Sequence, residues 1–288
     1  MATDLIGITG ASGAVGGRVA RRLSDRGLPL RLVVRDPARA PALPGAQVST
    51  ATYGDRQSLL TAFAGVGTLF MVSADEAIDR LDQHKQAVEA AAAAGVRKIV
   101  YLSFLGARPD ATFVLARQHH HTEQHIKETG AHFVFLRDAM YTDYVPLLVG
   151  SDGFIRGPAG DGKAGFVARD DVAEVAAAVI ASSGHDGETL ELTGPEAISL
   201  DEAADRLGKF IGRPIGYHPE TEAEAYASRS VFGAPDWEVE GWVTSYQAIA
   251  NGEMDVVSDT VSRLTGHEAT NLEAFLKAHP ESYQHLLL

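Results

Sequence analysis

One turn near the start of the chain constrains the fold more than any other feature. Residues 5–9 form an apolar run of strand length, and Gly10, Gly13 and Gly16 follow in a short segment that opens into an amphipathic stretch. The pattern predicts a strand, a tight turn and a helix. Glycine tolerates positive φ, lets a backbone approach a pyrophosphate, and lets the helix pack closely on the strand. We therefore predict a dinucleotide site at the helix N-terminus, where free N–H groups meet phosphates.

A plain structural turn is the alternative, because glycine-rich turns also join strands to helices in sheets that bind nothing. The rest of the first half supplies the context that a dinucleotide site needs. Strands are predicted by the apolar segments 29–35, 46–52, 68–73, 98–103 and 132–137, with helical patterns such as 56–64 and 78–94 between them. This alternation predicts an α/β fold, a Rossmann-type doubly wound parallel sheet with right-handed crossovers.

The alternation loosens after about residue 145. Residues 153–163 are rich in glycine and predict a hairpin or a loop, and Arg169 begins a predicted helix that runs through Ile180. Helices are also predicted near 220–232, 236–251, 259–264 and 272–279. We expect an NADP-binding core over residues 1–150 and a smaller, mostly helical substrate lobe over 151–288, interleaved with the last strands of the core as one structural unit.

Composition excludes several classes of function. The formal charge of −13, from 25 basic and 38 acidic residues, argues against a nucleic-acid surface, which would need a clustered basic face. The absence of cysteine removes disulfides, thiolate chemistry and zinc–thiolate sites. We expect no targeting or membrane segment, because no window approaches about 18 uninterrupted apolar residues. A cytoplasmic protein that acts on a small molecule is the prediction, with a homodimer as a hypothesis of assembly.

The residues that follow the second and third strands bear on the choice of cofactor. Arg35 ends the second predicted strand, with Asp36 beside it and Arg39 one turn later. An arginine there would pair with the 2′-phosphate of NADP, so NADP is favoured, whereas NAD through Asp36 remains the less favoured alternative. Asp55 follows the third predicted strand and is expected to accept from an adenine amino group, to cap the helix over 56–64, or to do both.

Four histidines within seven residues, at 119, 120, 121 and 125, raise the question of a metal site. His121 and His125 are spaced i, i+4 and share one helix face. The order of the surrounding residues is not that of a zinc protease, and no third ligand is evident downstream, so we predict no metal. A solvated helix that partly faces the cofactor is the favoured interpretation, and His119 or His120 is a candidate proton relay at neutral pH.

The glycine turn, Arg35, Asp55, Leu102-Ser103, Thr122-Glu123 and Leu136-Arg137 occur together in a characteristic order. With these residues the chain resembles the NmrA-like branch of atypical short-chain dehydrogenases, nearest to the NADPH-dependent type 2 quinone oxidoreductases and the triphenylmethane reductases. The likeness covers about residues 4–195. It implies a Rossmann-type core with NADPH bound along the turn, Arg35 on the 2′-phosphate, Asp55 near adenine, and the nicotinamide close to Ser73, Ser103, Met140 and Tyr141. The cofactor-binding residues expected are Gly10, Ala11, Ser12, Gly13, Ala14, Val15, Gly16, Arg35, Asp55, Val72, Ser73, Ser103, Gln124 and Met140.

One departure from short-chain dehydrogenases shapes the expected chemistry. Their Tyr-x-x-x-Lys pair passes a proton to a carbonyl oxygen, and that pattern occurs nowhere in this sequence. Many relatives carry a lysine after Thr-Glu, whereas this chain has Gln124, which can form hydrogen bonds but supplies no charge. An acceptor such as a quinone draws protons from solvent and needs the protein mainly for orientation.

We therefore predict an enzyme, an NADPH-dependent oxidoreductase that transfers hydride to a quinone-like or other flat conjugated acceptor. Ser103, Tyr141 and Gln124 are the candidate catalytic residues. The candidate aromatic walls of the acceptor pocket are Tyr141, Tyr144, Phe166, Trp237 and Trp242, which ordinary packing would equally explain. Two alternatives stay open: a non-enzymatic dinucleotide sensor of the NmrA type, and a tailoring reductase of a natural-product pathway.

Overall fold

The computed structural model describes residues 4–287 and contains a seven-stranded parallel sheet with helices on its flanks. The strand order is β3-β2-β1-β4-β5-β6-β9. These strands are β1 (Leu5–Thr9), β2 (Leu30–Val34), β3 (Gln47–Thr50), β4 (Val66–Met71), β5 (Lys98–Phe104), β6 (His132–Asp138) and β9 (Thr189–Leu192). The predicted Rossmann-type fold is confirmed, and each strand predicted in the first half lies in this sheet within a few residues of its expected bounds.

The helices between these strands follow the apolar periodicity of the sequence. The α-helices are α1 (Ala14–Asp25), α2 (Arg56–Phe63), α3 (Arg80–Ala93), α4 (Val114–Glu128), α5 (Arg169–Ala181), α6 (Leu200–Ile211), α7 (Glu222–Arg229), α8 (Asp236–Ala250), α9 (Thr260–Thr265) and α10 (Leu272–Ala278). Between residues 4 and 287, no helix is both long enough and apolar enough to cross a membrane.

The chain divides into two compact units. The first comprises residues 4–107, 118–137 and 172–190, and the second comprises 108–117, 138–171 and 191–287. Each unit is therefore assembled from separate parts of the chain. The boundary of the smaller lobe, expected over residues 151–288, stays a prediction.

The first unit places a binding edge where the strand order reverses. Strand β1 pairs in parallel with β2 on one side and with β4 on the other. In open α/β sheets, ligands bind outside the carboxyl ends of the strands at such a reversal. The ends of β1, β2, β4 and β5 therefore define the part of this unit where a dinucleotide is expected.

The second unit contains two short additional sheets. Strand β7 (Phe154–Gly157) pairs in parallel with β11 (Gly216–Pro219), whereas β8 (Lys163–Ala164) pairs antiparallel with β10 (Ile198–Ser199). The glycine-rich segment over 153–163 is therefore not a hairpin, because its two strands join different partners. The hairpin alternative was wrong since local glycine content does not specify pairing with strands that lie about 35 and about 62 residues away.

Near the ends of β4 and β5 the first unit buries a polar network around Arg80. The guanidinium of Arg80, 3% exposed, donates from Nε to the Ala74 carbonyl at 3.0 Å and from Nη1 to Gln118 Oε1 at 3.0 Å. Its Nη2 donates to His119 Nε2 at 3.0 Å, so the His119 proton lies on Nδ1 and points at the Tyr101 hydroxyl 2.9 Å away. A charged side chain is thus held by neutral acceptors.

His84 is the second histidine of this network. The Ala74 N–H donates to its Nε2 at 2.9 Å, and its Nδ1 donates to Thr122 Oγ1 at 2.9 Å. Burial, together with the charge of Arg80, lowers the pKa of His84 to about 3. Burial and Arg80 also hold the pKa of His119 well below its usual range. Both imidazoles are therefore neutral in the folded protein.

Because these two histidines are neutral in the folded protein, we predict that they lower the free energy of unfolding in mild acid. Unfolded histidine titrates near pH 6.5, so below that pH the unfolded chain takes up protons that the folded protein refuses, and the free energy of unfolding falls. Each histidine contributes about 1.4 kcal/mol per pH unit. Urea unfolding followed by circular dichroism at pH 7, 6 and 5 measures this slope.

The His84→Gln variant is expected to unfold more easily at pH 7 but to show a shallower pH dependence, because one of the two protons is removed. The His132→Gln variant, which alters an imidazole that is 68% exposed, is the control and keeps the wild-type slope. A pH dependence that is equally steep in wild type and in His84→Gln would contradict the account.

Candidate functional site

The glycine turn has the geometry of a phosphate cradle. Gly10 has a φ of +61°, and its carbonyl accepts from the Gly13 N–H at 2.8 Å. A Cβ on Gly16 would lie 2.3 Å from the Gly10 oxygen, and one on Gly13 would lie 3.1 Å from it. The turn therefore closes on α1 with no room for a side chain at the last glycine and little at the second.

The start of α1 is open to a ligand. Gly13 occupies the N-cap position with extended backbone and has no side chain with which to cap the helix. The first helical bond runs from the Gly17 N–H to the Gly13 carbonyl, and both Gly13 and Ala14 are exposed. The amide groups of the first turn and the positive end of the helix dipole thus point at an accessible position. These residues fit the pyrophosphate of a dinucleotide.

Arg35 lies one residue beyond β2, at the same edge of the sheet. Its side chain is 66% exposed, and its Nη1 lies 2.7 Å from Asp75 Oδ2, a carboxylate that is itself 76% exposed. Asp36, the residue that would favour NAD, instead accepts from the Ala38 N–H at 2.9 Å and caps a short 3-10 turn. Arg35 is therefore an exposed arginine at this edge, paired with one exposed carboxylate. Its contact with a 2′-phosphate stays a prediction.

Asp55 is the N-cap of α2, where its Oδ1 accepts from the N–H groups of Gln57 and Ser58 at 3.0 and 3.3 Å. The capping alternative is thus present in the structure. A contact between Asp55 and adenine stays a prediction, because one carboxylate oxygen can cap the helix while the other accepts from a ligand.

Val72 and Ser73 follow β4 beside the glycine turn. The Val72 N–H donates to Thr9 Oγ1 at 2.9 Å, and the Val72 carbonyl accepts from the Tyr53 hydroxyl at 2.6 Å. The Val72 Cβ would lie 3.2 Å from a Cβ on Gly10. These contacts fix the end of β4 against the end of β1, where the sequence places the cofactor.

Ser103 lies near the end of β5 and is tied to a buried ion pair. The Ser103 hydroxyl donates to Glu123 Oε1 at 2.6 Å. Arg137 donates to both oxygens of the same carboxylate, at 2.8 Å from Nε and 2.6 Å from Nη2. The side chain of Glu123 is 0% exposed. Because its only proton goes to Glu123, Ser103 can accept a hydrogen bond from a bound ligand but cannot donate one.

The histidines of α4 do not form one solvated row. His119 is buried and neutral, and both of its ring nitrogens are engaged, so the prediction of a proton relay at neutral pH is wrong for His119. His120 is half-buried, and a relay through it stays a prediction. Arg80, 39 positions away in sequence, supplies the contact that the local pattern could not indicate. No group of three or more histidines, cysteines or carboxylates suited to a metal occurs among residues 4–287.

The second unit holds Tyr141 and Tyr144. Their ring centroids lie 6.0 Å apart, and the guanidinium of Arg169 lies over both, 4.7 Å from the Tyr141 ring and 4.4 Å from the Tyr144 ring. The Tyr141 hydroxyl donates to Asp138, a carboxyl that is 4% exposed. Asp138 was not among the residues singled out from the sequence, since its burial depends on the tertiary fold.

The remaining predicted residues are dispersed. Phe166 is buried, whereas Trp237 and Trp242 are half-buried on α8. Trp242 packs against the apolar cluster of α7 and α8 and meets the Phe232 ring edge-on at 6.0 Å. Gln124 on α4 and Met140 after β6 are both half-buried. The roles of these residues toward cofactor or acceptor stay predictions.

Known proteins resemble this chain along most of its length. The sequence profile of the NAD(P)H-binding family matches residues 10–183. Quinone oxidoreductase 2 from Escherichia coli is 36% identical over 276 residues, which is 93% of this chain and 96% of that protein. A (4-alkanoyl-5-oxo-2,5-dihydrofuran-3-yl)methyl phosphate reductase from Streptomyces griseus is 33% identical over 285 residues, covering 97% of this chain and 99% of that protein.

Solved structures show the same likeness. The NADPH-dependent quinone oxidoreductase of Escherichia coli, complexed with NADPH, gives a TM-score of 0.86 at 34% identity and covers 98% of this chain and 100% of its own. The triphenylmethane reductase of Citrobacter sp., complexed with NADP(H), gives a TM-score of 0.85 at 31% identity, with 95% of this chain and 99% of its own covered.

The geometry of the glycine turn predicts that one added methyl group weakens the binding of NADPH. In Gly13→Ala the new Cβ meets the Gly10 oxygen at 3.1 Å, which a small shift relieves, so the protein should fold. The methyl group would occupy the approach to the phosphates, and we expect NADPH binding to weaken at least about tenfold, or about 1.4 kcal/mol. Fluorescence titration of NADPH with a melting curve of each variant measures both effects.

The matched control is Gly241→Ala on α8, where a Cβ also meets nothing within 4 Å. Its affinity for NADPH is expected to equal that of the wild type, and its melting temperature should not fall. Wild-type affinity in Gly13→Ala would show that the pyrophosphate does not lie on this turn.

Proposed function

The chain belongs to the NAD(P)H-binding family and is an NAD(P)H-dependent oxidoreductase, and from that premise we propose that it reduces a quinone-like or other flat conjugated acceptor with NADPH. The observation that carries this proposal is the open glycine cradle beside an exposed arginine at the end of β2. The NADPH-bound quinone oxidoreductase and the NADP(H)-bound triphenylmethane reductase, both similar over nearly the whole chain, support the choice of cofactor and acceptor class.

The chain's own side chains would bind and orient the reactants. Bound NADPH supplies a hydride from its nicotinamide. Gly13 and the first turn of α1 hold the pyrophosphate, and Arg35 pairs with the 2′-phosphate. Ser103, locked as an acceptor by Glu123, offers its lone pairs to a donor such as the carboxamide. Orientation of donor and acceptor is the main contribution that such a site makes to hydride transfer.

The acceptor is proposed to be conjugated and planar. Tyr141 and Tyr144, with Arg169 over both rings, form an aromatic and cationic group suited to stacking on an electron-poor ring. We propose that this group forms part of the acceptor pocket, with Phe166, Trp237 and Trp242 as further candidates. A cytoplasmic location, proposed from the charge and the absence of cysteine, and a homodimer remain predictions.

The proposed activity is tested by the oxidation of NADPH at 340 nm with benzoquinone, naphthoquinone and a cationic triphenylmethane dye, each corrected for the reaction without enzyme. We expect enzyme-dependent oxidation with at least one acceptor and a clear preference for NADPH over NADH. Tight binding of NADPH without oxidation by any of the acceptors would instead indicate a dinucleotide sensor.

Cofactor preference is expected to depend on the pair of Arg35 and Asp75. Arg35→Ala removes the partner of the 2′-phosphate, so the ratio of kcat/KM for NADPH to that for NADH should fall at least about tenfold. Asp75→Asn removes a competing exposed carboxylate, worth up to about 1 kcal/mol, so the affinity for NADPH should rise two- to fivefold and that for NADH should not change.

Asp25→Asn removes the same unit of charge at the far end of α1 and is the control. Steady-state kinetics of all variants with both cofactors at constant ionic strength gives the comparison. An equal gain for NADPH and NADH in Asp75→Asn would mean that Asp75 acts through general charge and not through Arg35.

A further inference from the structure

Reduction of an uncharged conjugated acceptor adds a hydride to carbon or oxygen and leaves a negative charge that a proton must neutralise. Of the groups expected to provide this proton, His120 has a pKa lowered by burial, and two others are unsuited to the task. Ser103 commits its proton to Glu123, and His119 is a neutral, buried imidazole with both nitrogens engaged. The Tyr-x-x-x-Lys pair of short-chain dehydrogenases is missing from the sequence. Another acid is therefore required if the protein supplies the proton.

Asp138 occupies the last position of β6, at the carboxyl end of a strand in the parallel sheet. Its carboxyl is 4% exposed and accepts a hydrogen bond from the hydroxyl of Tyr141, three residues later. The two residues are close in sequence, but the burial of Asp138 depends on the tertiary fold. That burial keeps water away from the carboxyl, and the chain turns after β6 so that the Tyr141 hydroxyl meets it. A carboxyl and a phenol are thus joined in a short proton path.

The charged and titratable groups around this pair are Tyr144, Asp143 and Arg169. The guanidinium of Arg169 lies over the tyrosine rings, and its Nη1 is 3.7 Å from Asp143 Oδ1 while its backbone N–H donates to Asp143 Oδ2 at 3.1 Å. Within residues 4–287 the Nε of Arg169 is buried without a hydrogen-bond partner. Asp143 therefore offsets part of the positive charge that would otherwise keep Asp138 ionised.

Burial raises the pKa of Asp138 to about 7, although the hydrogen bond from Tyr141 and the charge of Arg169 act in the opposite direction. Burial, together with the negative charge of Asp138, raises the pKa of Tyr141 well above its usual range. When Asp138 is protonated, this hydrogen bond reverses: the carboxyl O–H donates to the Tyr141 oxygen, and the phenol proton that the ionised carboxyl accepts becomes free to leave. The carboxyl, half-protonated at neutral pH, is thus placed to return a proton to the phenol as the phenol releases its own.

We propose that Tyr141 is the acid that protonates the reduced acceptor and that Asp138 is the positioning residue that holds and resupplies its proton. This inference rests on the proposed function, which puts Tyr141 beside the acceptor. The acceptor receives two electrons and one hydrogen as hydride. The Tyr141 O–H bond breaks as the proton joins the anionic acceptor, the Asp138 carboxyl passes its own proton to the phenolate oxygen, and Asp138 takes up a proton from solvent before the next turnover.

In this proposal the Asp138–Tyr141 pair replaces the missing Tyr–Lys pair, and a carboxyl group assists the tyrosine in place of a cationic lysine. A lysine lowers the pKa of its tyrosine through positive charge, whereas a protonated carboxyl returns a proton directly. Acceptors whose reduced form is strongly basic, such as conjugated carbonyl compounds that pass through an enolate, should depend on this pair more than quinones, whose reduced oxygens are acidic.

The test is the pH profile of kcat from pH 5.5 to 9.5 with saturating NADPH and a conjugated enone as acceptor, in wild type and in Asp138→Asn, with naphthoquinone as the acceptor expected to show a smaller difference. Asparagine keeps the size of the side chain and an oxygen that accepts from Tyr141, so the fold and the NADPH affinity should be retained. Wild-type kcat is expected to fall as the pH rises through about 7. Asp138→Asn should be at least about tenfold slower at pH 6, independent of pH, and equal to wild type near pH 9.

A second measurement does not depend on turnover. The side-chain carboxyl carbon of Asp138, assigned by its loss in Asp138→Asn, is followed by carbon NMR of protein labelled at aspartate. It should titrate near neutrality, and in Tyr141→Phe it should titrate at higher pH, because the hydrogen bond that favours the charged form is removed. Asp152→Asn, which removes an exposed carboxylate paired with Arg156, is the control for both measurements.

The outcomes separate this inference from the proposed function. If the protein oxidises NADPH with none of the acceptors, the proposed function is wrong, and the proposal for Asp138 and Tyr141 is wrong with it. A protein that turns over but shows the same pH profile in wild type and Asp138→Asn, or an Asp138 carbon that titrates near pH 4, overturns the inference alone.

Discussion

The sheet edge depends on the ion pair between the fully buried carboxylate of Glu123 and Arg137. The carboxylate joins α4 to the ends of β5 and β6, because Ser103 and Arg137 both donate to its oxygens. Removing one partner of a buried ion pair leaves an uncompensated charge and typically costs about 3–5 kcal/mol. The same interaction determines what Ser103 can do, since a hydroxyl that donates to a carboxylate is left with lone pairs only. The ion pair therefore positions the cofactor edge and, by removing one proton donor, leaves protonation of the acceptor to another group.

Two further constraints act at the same edge. The turn from β1 into α1 closes so tightly that Gly16 has no room for a Cβ, which leaves the first amides of α1 exposed to a phosphate. Behind β4 and β5, Arg80 is held by neutral acceptors, and its charge helps to keep His84 and His119 uncharged. The edge is thus built from a backbone cradle, a buried ion pair and a buried cation. The cradle offers its amides to an anionic cofactor, and the other two hold the strand ends and helices around it.

Sequence predicts the parts of this arrangement that are local. A strand, three spaced glycines and an amphipathic helix are sufficient to locate the cradle, and Arg35 at a strand end indicates the phosphate of NADP. Partners that are distant in sequence could not be predicted. Asp75 lies 40 positions from Arg35. The spacing of the histidines on α4 looks like a solvated face because Arg80, which buries His119, lies on another helix.

The same limit explains why Asp138 was missed and the glycine-rich segment was misjudged. The pKa of a carboxyl depends on burial, which one strand-end aspartate in a sequence does not reveal. The pairing of β7 with β11 and of β8 with β10 depends on elements far along the chain. An aromatic residue such as Trp242 can either pack in a core or line a ligand pocket, and composition alone does not distinguish these two roles.

Direct transfer of hydride from bound NADPH to the acceptor is the central claim, and isotopic labelling of the nicotinamide tests it most directly. NADPH carrying deuterium on one or the other face of C4 is mixed with the enzyme and naphthoquinone, and its oxidation is followed in single turnover at 340 nm. The account predicts a primary isotope effect with only one of the two labelled cofactors, because a fixed site presents one face. The same rate with both labelled cofactors and with unlabelled NADPH, or no oxidation of tightly bound NADPH, would contradict it.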